Sequence, residues 1–225
     1  DPHIILDMSR MNRMEDLGHG IYKIEPGVTF FQLENELINN DSLYFSSGIG
    51  GPVNASLLAN GLERGDGVLA DRWRNLCDFT VVLPNGDVVE TGRSSKSKLL
   101  GHESCPAGPI IEGLFSQSNM GIVVKAHLKL EALPENAAGF YTEVNGLEKA
   151  KMCLKKWREL QRKTIVPARS ISMWNGIKKK AKEHTRQEFN HDQLQKARLD
   201  EWHMSGYLVG FSENILKAQS EVFIE

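Results

Sequence analysis

Between Ser46 and Gly67 the sequence reads SSGIGGPVNASLLANGLERGDG, too rich in glycine for a regular strand and too short in apolar periodicity for a long helix. Such a stretch is backbone packed against something. Without a Cβ in the way, the N–H groups of Gly48, Gly50, Gly51 and Gly61 can approach a phosphate closely. Ser56 and Asn60 add short hydrogen-bonding side chains, and Arg64 supplies a fixed positive charge to set against an anion. Each glycine taken singly reads as a turn residue; their order around Ser56 and Asn60 is what points to a ligand. Glu63 and Arg64 read equally as a surface ion pair or as ligand contacts, and Asp71 as a loop or capping hydrogen-bonder. No GxGxxG fingerprint is present, which disfavours a nicotinamide dinucleotide fold.

Other reactive residue types give less. Cys77, Cys105 and Cys153 are odd in number and widely spaced, with no CxxC pair for zinc or dithiol chemistry, and point to a reduced compartment. Cys77 falls in a strand pattern and reads as a small core residue; Cys105 reads as an exposed bystander. The seven histidines show no metal spacing, and His184 and His191, seven apart, lack a third ligand. Basic residues crowd from Lys151 to Lys182 with little aromatic interleaving, the pattern of a solvated helix face rather than a nucleic-acid groove. A formal charge of -2 and a pI near 6.4 give no field that would draw nucleic acid or an anionic membrane. No apolar run approaches the ~20 residues that span a bilayer.

The elements that must position these residues follow from periodicity. His3–Leu6 and His19–Ile24 are predicted strands, and Thr29 with Gln32 is a capping-box pair opening a helix to Asn39. CDFTVVLP and DVVETG, joined by Asn85-Gly86, predict a hairpin, and the strand starting at Gly121 runs until Pro134 stops it. After Pro134 the pattern predicts a strand at Phe140–Val144, then an Asn145/Glu148 cap. A helix carrying Leu147, Ala150, Leu154 and Trp157 on one face follows, to Arg162. A strand at Arg169–Trp174, a charged helix over Lys178–Leu199, a strand at Tyr207–Phe211 and a helix opened by Ser212 complete an α+β layer. Trp157 and Trp174 fit core positions, and Trp202 fits a pocket wall. A domain boundary is expected near Ala137, and the stop inside an apparent helix at Glu225 points to a larger unit.

Three stretches carry a family resemblance. ILDMSRMNRM with IEPGVTFFQLENEL, GPVNASLLANGLERG running through LADRWRNLCDFTVVLPNGDVVETG, and GPIIEGLFSQSNMGIVVKAHLKL occur in family order over residues 4 to 131. Together they resemble the FAD-binding domain of the vanillyl-alcohol oxidase and p-cresol methylhydroxylase flavoproteins, the third stretch being the most specific. The resemblance implies an α+β fold. Residues 1–137 would form a PCMH-type FAD-binding domain, a mixed or antiparallel sheet with flanking helices, and residues 138–225 the beginning of a ferredoxin-like substrate cap.

It further implies that Pro52, Ala55, Ser56, Asn60, Gly61, Glu63, Arg64 and Gly65 run along the FAD pyrophosphate and flavin. Gly121, Ile122 and Val123 would meet the adenosine half through main-chain atoms. The flavin-side acid would be Glu63 or Asp71. The family's first phosphate loop lies upstream of Ile4, and the loop Asp66–Asp71 is shorter than its aromatic-rich counterpart. The activity implied is hydride transfer to flavin from a small organic substrate, a 4-alkylphenol or related alcohol, with reoxidation by dioxygen or an electron-carrier protein. A homodimer is the assembly expected, with no nucleic-acid or membrane partner. A 2-hydroxyacid dehydrogenase of the D-lactate type on the same scaffold, and a flavin-free fragment acting through protein contacts, are the alternative readings. The tyrosine and arginine set that stabilises a phenolate in relatives is not apparent here.

Overall fold

The computed structural model describes residues 5–46, 51–65, 72–92, 109–166, 170–183, 192, 195 and 197–224. The chain divides into two compact units, Asp1–Leu133 and Pro134–Glu225. Ala137 therefore falls inside the second unit, in its first strand.

In the first unit, β1 (Met14–Gly18) and β2 (Ile21–Ile24) form an antiparallel hairpin. The strand expected over His19–Ile24 starts only at Ile21, because His19 and Gly20, with φ of 54° and 73°, make the turn. The strand expected at His3–Leu6 is not found at Ile5 and Leu6, which are exposed and irregular; His3 and Ile4 lie outside the described residues. Helix α1 (Phe30–Asn39) is capped by Thr29, whose Oγ1 accepts from the Gln32 N–H at 3.1 Å. Only half of the capping box forms, since the Gln32 amide reaches instead to the Asn12 carbonyl. Phe30, Leu33 and Leu37 bury the inner face of α1.

A short helix α2 (Leu57–Leu62) lies within the glycine-rich stretch. The two-stranded pairing of β3 (Tyr44–Phe45) with β7 (Glu131–Ala132) stands apart from the main sheet. Strands β4 (Leu76–Val82) and β5 (Val88–Glu90) are the expected hairpin, with Gly86 at φ 88°, a conformation that favours glycine. β6 (Ile122–Lys129) completes a five-stranded sheet in the order β1-β2-β6-β4-β5, antiparallel throughout. Its core joins Ile24, Val28, Leu33, Leu58, Phe79, Val81 and Ala126, all essentially sealed from solvent. The aromatic edge of Trp73 against Phe79 closes one side.

The second unit runs β8 (Asn136–Asn145), α3 (Leu147–Arg162), β9 (Ile171–Asn175), α4 (Gly176–Glu183), β10 (Glu201–Gly210) and α5 (Glu213–Ile224). β8 and β9 are each antiparallel to β10, which lies between them, so they are parallel to each other: a split βαβ arrangement. Three expectations change here. Asn145 is the last residue of β8 rather than a cap, and α3 begins after Gly146 at φ 92° with no side-chain cap. The buried face of α3 is Ala150, Trp157 and Leu160, whereas Leu147 and Leu154 are exposed. β10 begins at Glu201, six residues before the expected Tyr207, and the charged helix has ended by Ala197. Leu160, Val166 and Leu208 pack with Trp157, whose ring sits 5.7 Å from Phe140 and 5.5 Å from Phe223.

Cys77 on β4 is 6% exposed, and burial, reinforced by Asp78 and Glu112, pushes its thiol up to about 12 from 9.0. A folded value above the unfolded one means that this neutral thiol's contribution to stability is complete below pH 9 and is lost as pH climbs from 9 toward 12. Native protein should leave Cys77 unlabelled by thiol reagents at about pH 8. Denaturant melts should show wild type losing more stability than Cys77→Ala between about pH 8 and pH 11; equal losses would contradict this account.

Candidate cofactor-binding site

The stretch from Pro52 to Gly65 is held from both ends of α2. At its start, the Phe31 and Phe30 amides of α1 donate to the Val53 and Ala55 carbonyls at 2.9 and 3.2 Å, and the Leu57 amide donates to the Val28 carbonyl at 3.0 Å. Ser56 caps α2 by accepting from the Ala59 N–H at 3.1 Å, and its hydroxyl proton goes to the Pro26 carbonyl at 2.5 Å. Asn60 accepts from Arg72 Nη1 at 2.8 Å, while the Arg72 guanidinium lies 5.0 Å from the centre of the Phe30 ring. The side chains of Ser56 and Asn60 are thus occupied in holding α2 against α1 and the start of β4.

Gly61 is buried, and a Cβ built on it would stand 2.4 Å from Leu76 Cδ1 and 3.3 Å from the Arg72 carbonyl. Packing against β4 accounts for that glycine without any ligand. Gly51, Pro52, Val53 and Asn54 are exposed at the mouth of the stretch.

The C-terminal end of α2 is joined to the turn before β6. The Leu62 carbonyl accepts from the Gln117 amide at 3.1 Å and from Ser116 Oγ at 3.0 Å. Arg64 Nε donates back to Ser116 Oγ at 3.2 Å, and the Gln117 side-chain amide donates to the Glu63 carbonyl at 3.4 Å. Arg64 forms no ion pair with Glu63 among the described residues; it is exposed, sits over the Trp73 ring at 5.9 Å and keeps its terminal amino groups available to an anion. Gly121 follows, packed on Val81 and Phe115, and β6 then pairs Ile122 with Val82 and Val123 with Val81. Val123 is core, so only its main chain can meet a ligand, while the Ile122 side chain is exposed.

The end of the Pro52–Gly65 stretch is therefore hydrogen-bonded to Ser116 and Gln117, and Gly121, Ile122 and Val123 follow a few residues later on that second segment. The Arg64 guanidinium suits an anion, whereas the Ala55, Glu63, Arg64 and Gly65 amides already donate to the Pro52, Ala59, Gly61 and Asn60 carbonyls. Arg72, Trp73, Ser116 and Gln117 were not anticipated as parts of this site, although LADRWRN contains the first two and GLFSQSN the last two. Asp71, Gly48, Gly50, Cys105, His184 and His191 lie outside the described residues. Elsewhere in this unit His127 Nδ1 stands 3.1 Å from Asp78 Oδ2, beside a polar cavity of about 60 Å³, far too small for a dinucleotide.

Residues 1–92 match the family model described as FAD binding domain. The chain carries an FAD-binding domain over those residues. It is 33% identical over 184 residues to 1'-carboxy-chondrochloren decarboxylase of Chondromyces crocatus, covering 79% of this chain and 34% of that protein. It is 34% identical over 133 residues to the 4-cresol dehydrogenase [hydroxylating] flavoprotein subunit of Pseudomonas putida, covering 54% and 25% respectively. The solved structure of p-cresol methylhydroxylase with substrate bound shares the fold at a TM-score of 0.83 and 21% identity, over 97% of this chain and 46% of that one. The chain thus spans a quarter to a third of the length of these curated relatives. The cofactor of this domain is FAD.

Ser116 is the hinge of the junction in this FAD-binding domain, accepting from Arg64 and donating to Leu62. Ser116→Ala should lower unfolding stability by about 1–3 kcal/mol, because the half-buried Leu62 carbonyl and Arg64 Nε each lose a partner. Chemical denaturation checks this, and an unchanged midpoint would remove the junction from the stabilising interactions.

Proposed function

We propose that the protein containing this chain is an FAD-dependent oxidoreductase that oxidises a small organic substrate, a 4-alkylphenol or related alcohol. The observation that carries the proposal is the hydrogen-bonded junction of Leu62, Glu63 and Arg64 with Ser116 and Gln117, which ties together the two segments a dinucleotide needs. Arg64 and the main chain of Pro52, Ala55 and Gly65 would face the pyrophosphate and flavin. The main chain of Gly121, Ile122 and Val123 would face the adenosine half. Ser56, Asn60 and Gly61 would support that wall from behind, since their own contacts are already made within the protein. Exposed Glu63 remains the carboxylate best placed to act beside a flavin, with Asp71 as the other candidate.

FAD, when bound, supplies acceptance of a hydride from the substrate's activated carbon. The chain's own residues supply binding, orientation and charge. Exposed Ile110, Ile111, Leu114, Met120 and Ile122 follow one another just before and at the start of β6, an apolar margin suited to a flat ring. The second unit would open a substrate cap, and dioxygen or an electron-carrier protein would reoxidise the flavin. The names of the two curated relatives span a dehydrogenation and a decarboxylation. The scaffold alone therefore does not choose the substrate, and the choice belongs to side chains.

FAD titration of the complete protein, followed by anaerobic addition of 4-ethylphenol or D-lactate, tests the reading. Bleaching by the phenol supports it, bleaching by D-lactate alone moves the assignment to 2-hydroxyacids, and failure to bind FAD overturns it. Arg64→Ala should raise the FAD dissociation constant about tenfold or more, the equivalent of a lost charged hydrogen bond worth about 1.5–3 kcal/mol.

A further inference from the structure

The sheet of the second unit has two unlike faces. One carries Phe140, Ile171 and Leu208 into the core with Trp157. The cross-strand pairs Glu143↔His203 and His203↔Trp174 gather the other set of side chains, and Tyr141 and Glu201 share that face by the two-residue period. His203 is completely buried between the rings of Tyr141 and Trp174, whose centroids lie 5.8 and 6.3 Å from its own. One atom able to ligate a metal from each of Glu143, Glu201 and His203 lies within 4.8 Å of the other two. The three have no metal-ligand spacing in sequence; strand register brings them together.

The protons of this cluster can be counted. The Tyr141 hydroxyl donates to Glu143 Oε1 at 3.2 Å. Its oxygen, 2.5 Å from His203 Nδ1, is therefore the acceptor in that second contact, and the ring proton sits on Nδ1. Nε2 of the neutral ring then carries a bare lone pair. That atom is sealed from solvent, lacks an aligned hydrogen-bond partner among the described residues, and stands 2.9 Å from Glu201 Oε1. A proton placed on Nε2 would not satisfy it, because the N–H direction misses the carboxylate. Two electron-rich atoms this close, turned off each other's axis, are arranged as neighbouring ligands of one cation: on bonds of about 2.1 Å at right angles, ligand atoms stand about 3 Å apart. An Nδ1–H held by an oxygen is also the support a ligating imidazole needs, since it fixes the tautomer and the ring orientation.

The two carboxylates already draw a cation. Lys179, on α4, holds its ammonium 2.8 Å from Glu201 Oε1 and 3.4 Å from Glu143 Oε1. A single positive charge there leaves the cluster one charge short of neutral and does nothing for the Nε2 lone pair. Arg198 does not make up the difference, since its Nε lies 3.8 Å from the outer oxygen of Glu201 and is matched by Asp200 at 3.9 Å. A divalent ion in place of the ammonium neutralises both carboxylates and gives Nε2 its partner. The Lys179 side chain is 35% exposed on a flexible four-carbon stem and can swing into solvent.

We propose that His203 Nε2, Glu201 and Glu143 form a site for a divalent transition-metal ion, with Lys179 as the ammonium that takes the ion's place when the metal is away. One imidazole with two carboxylates suits Zn²⁺, Fe²⁺ or Mn²⁺ better than Mg²⁺ or Ca²⁺, which take oxygen ligands. Three protein ligands leave a position for water, which reaches the cluster past Glu143, 50% exposed. Tyr141 is a positioning residue that holds the Nδ1–H. The site does not rest on the oxidoreductase reading, and its test needs no turnover.

The test treats the complete FAD-loaded protein with a chelator, dialyses it and titrates it with Zn²⁺ by calorimetry, with ¹⁵N-histidine spectra recorded before and after. Wild type should bind Zn²⁺ with movement of one histidine Nε2 resonance that is missing from His203→Asn, and millimolar Mg²⁺ should not compete. Glu201→Gln, which keeps the shape, and His203→Asn should abolish this binding. Tyr141→Phe should weaken it about 10–100-fold by freeing the Nδ1–H. Lys179→Met, which removes the competing ammonium, should tighten it about tenfold. These last two variants leave the buried imidazole in place, so their opposite shifts decide the site even where His203→Asn does not fold. Absence of Zn²⁺ binding at millimolar concentration in both wild type and Lys179→Met overturns the proposal, as does binding that Glu201→Gln and Lys179→Met leave unchanged.

Discussion

Antiparallel pairing of β6 with β2 on one side and β4 on the other is the constraint on which the first unit depends. A strand hydrogen-bonded along both edges cannot shift register by one residue without turning Val123, Ala126 and Leu128 out of the core. Fixing β6 fixes Gly121 at its entrance, where a Cβ would strike Val81 Cγ1 at 2.6 Å. That in turn fixes the turn carrying Ser116 and Gln117. The C-terminal end of α2, more than fifty residues earlier in the chain, docks onto this turn through the Leu62 carbonyl. The candidate cofactor surface is thus a consequence of sheet register rather than of the glycine-rich stretch acting alone.

How much of this could be read from residues depended on whether the signal was local. The β4–β5 hairpin was legible because Asn85-Gly86 specifies its own turn, and α1 because Thr29 and Gln32 specify its own start. β1 was not, since MEDLG has neither β-branched residues nor alternation and pairs only because β2 templates it. The face of α3 was misread because Leu147 and Leu154 satisfy helical spacing as well as Leu160 does; which leucines are buried is decided by where Phe140 and Leu208 lie in the sheet. In the candidate site, the order of glycine, serine and asparagine pointed to a stretch whose end the structure docks onto Ser116 and Gln117. The partners Ser116 and Gln117 are separated from it by a contact that no local pattern encodes.

The two units use their sheets differently. The first buries apolar side chains and leaves its candidate site to loops and a short helix, so that site reads in sequence as a glycine-rich stretch. The second divides its sheet between an apolar face under Trp157 and a polar face around His203. Alternation in YTEVN and EWHMSG records that division only once the strands are known to pair. Single histidines and tyrosines scattered over sixty residues look unremarkable in sequence and become a cluster through register alone.

Backbone strain gives a further reason to place function at the junction rather than along α2. Among the described residues, six non-glycine positions have positive φ, and two of them, Arg64 at 55° and Gln117 at 49°, belong to the segments that hydrogen-bond to each other. Such conformations cost about 1 kcal/mol or more apiece and persist where surrounding contacts overrule them. Here four hydrogen bonds do so: Gln117 N–H and Ser116 Oγ to the Leu62 carbonyl, Arg64 Nε to Ser116, and the Gln117 amide to the Glu63 carbonyl. Glycine at residue 64 would adopt the same turn without strain, yet it would carry no guanidinium. An arginine in a conformation that favours glycine is explicable if the charge is needed where the turn puts it, as the proposed contact to an anionic cofactor requires.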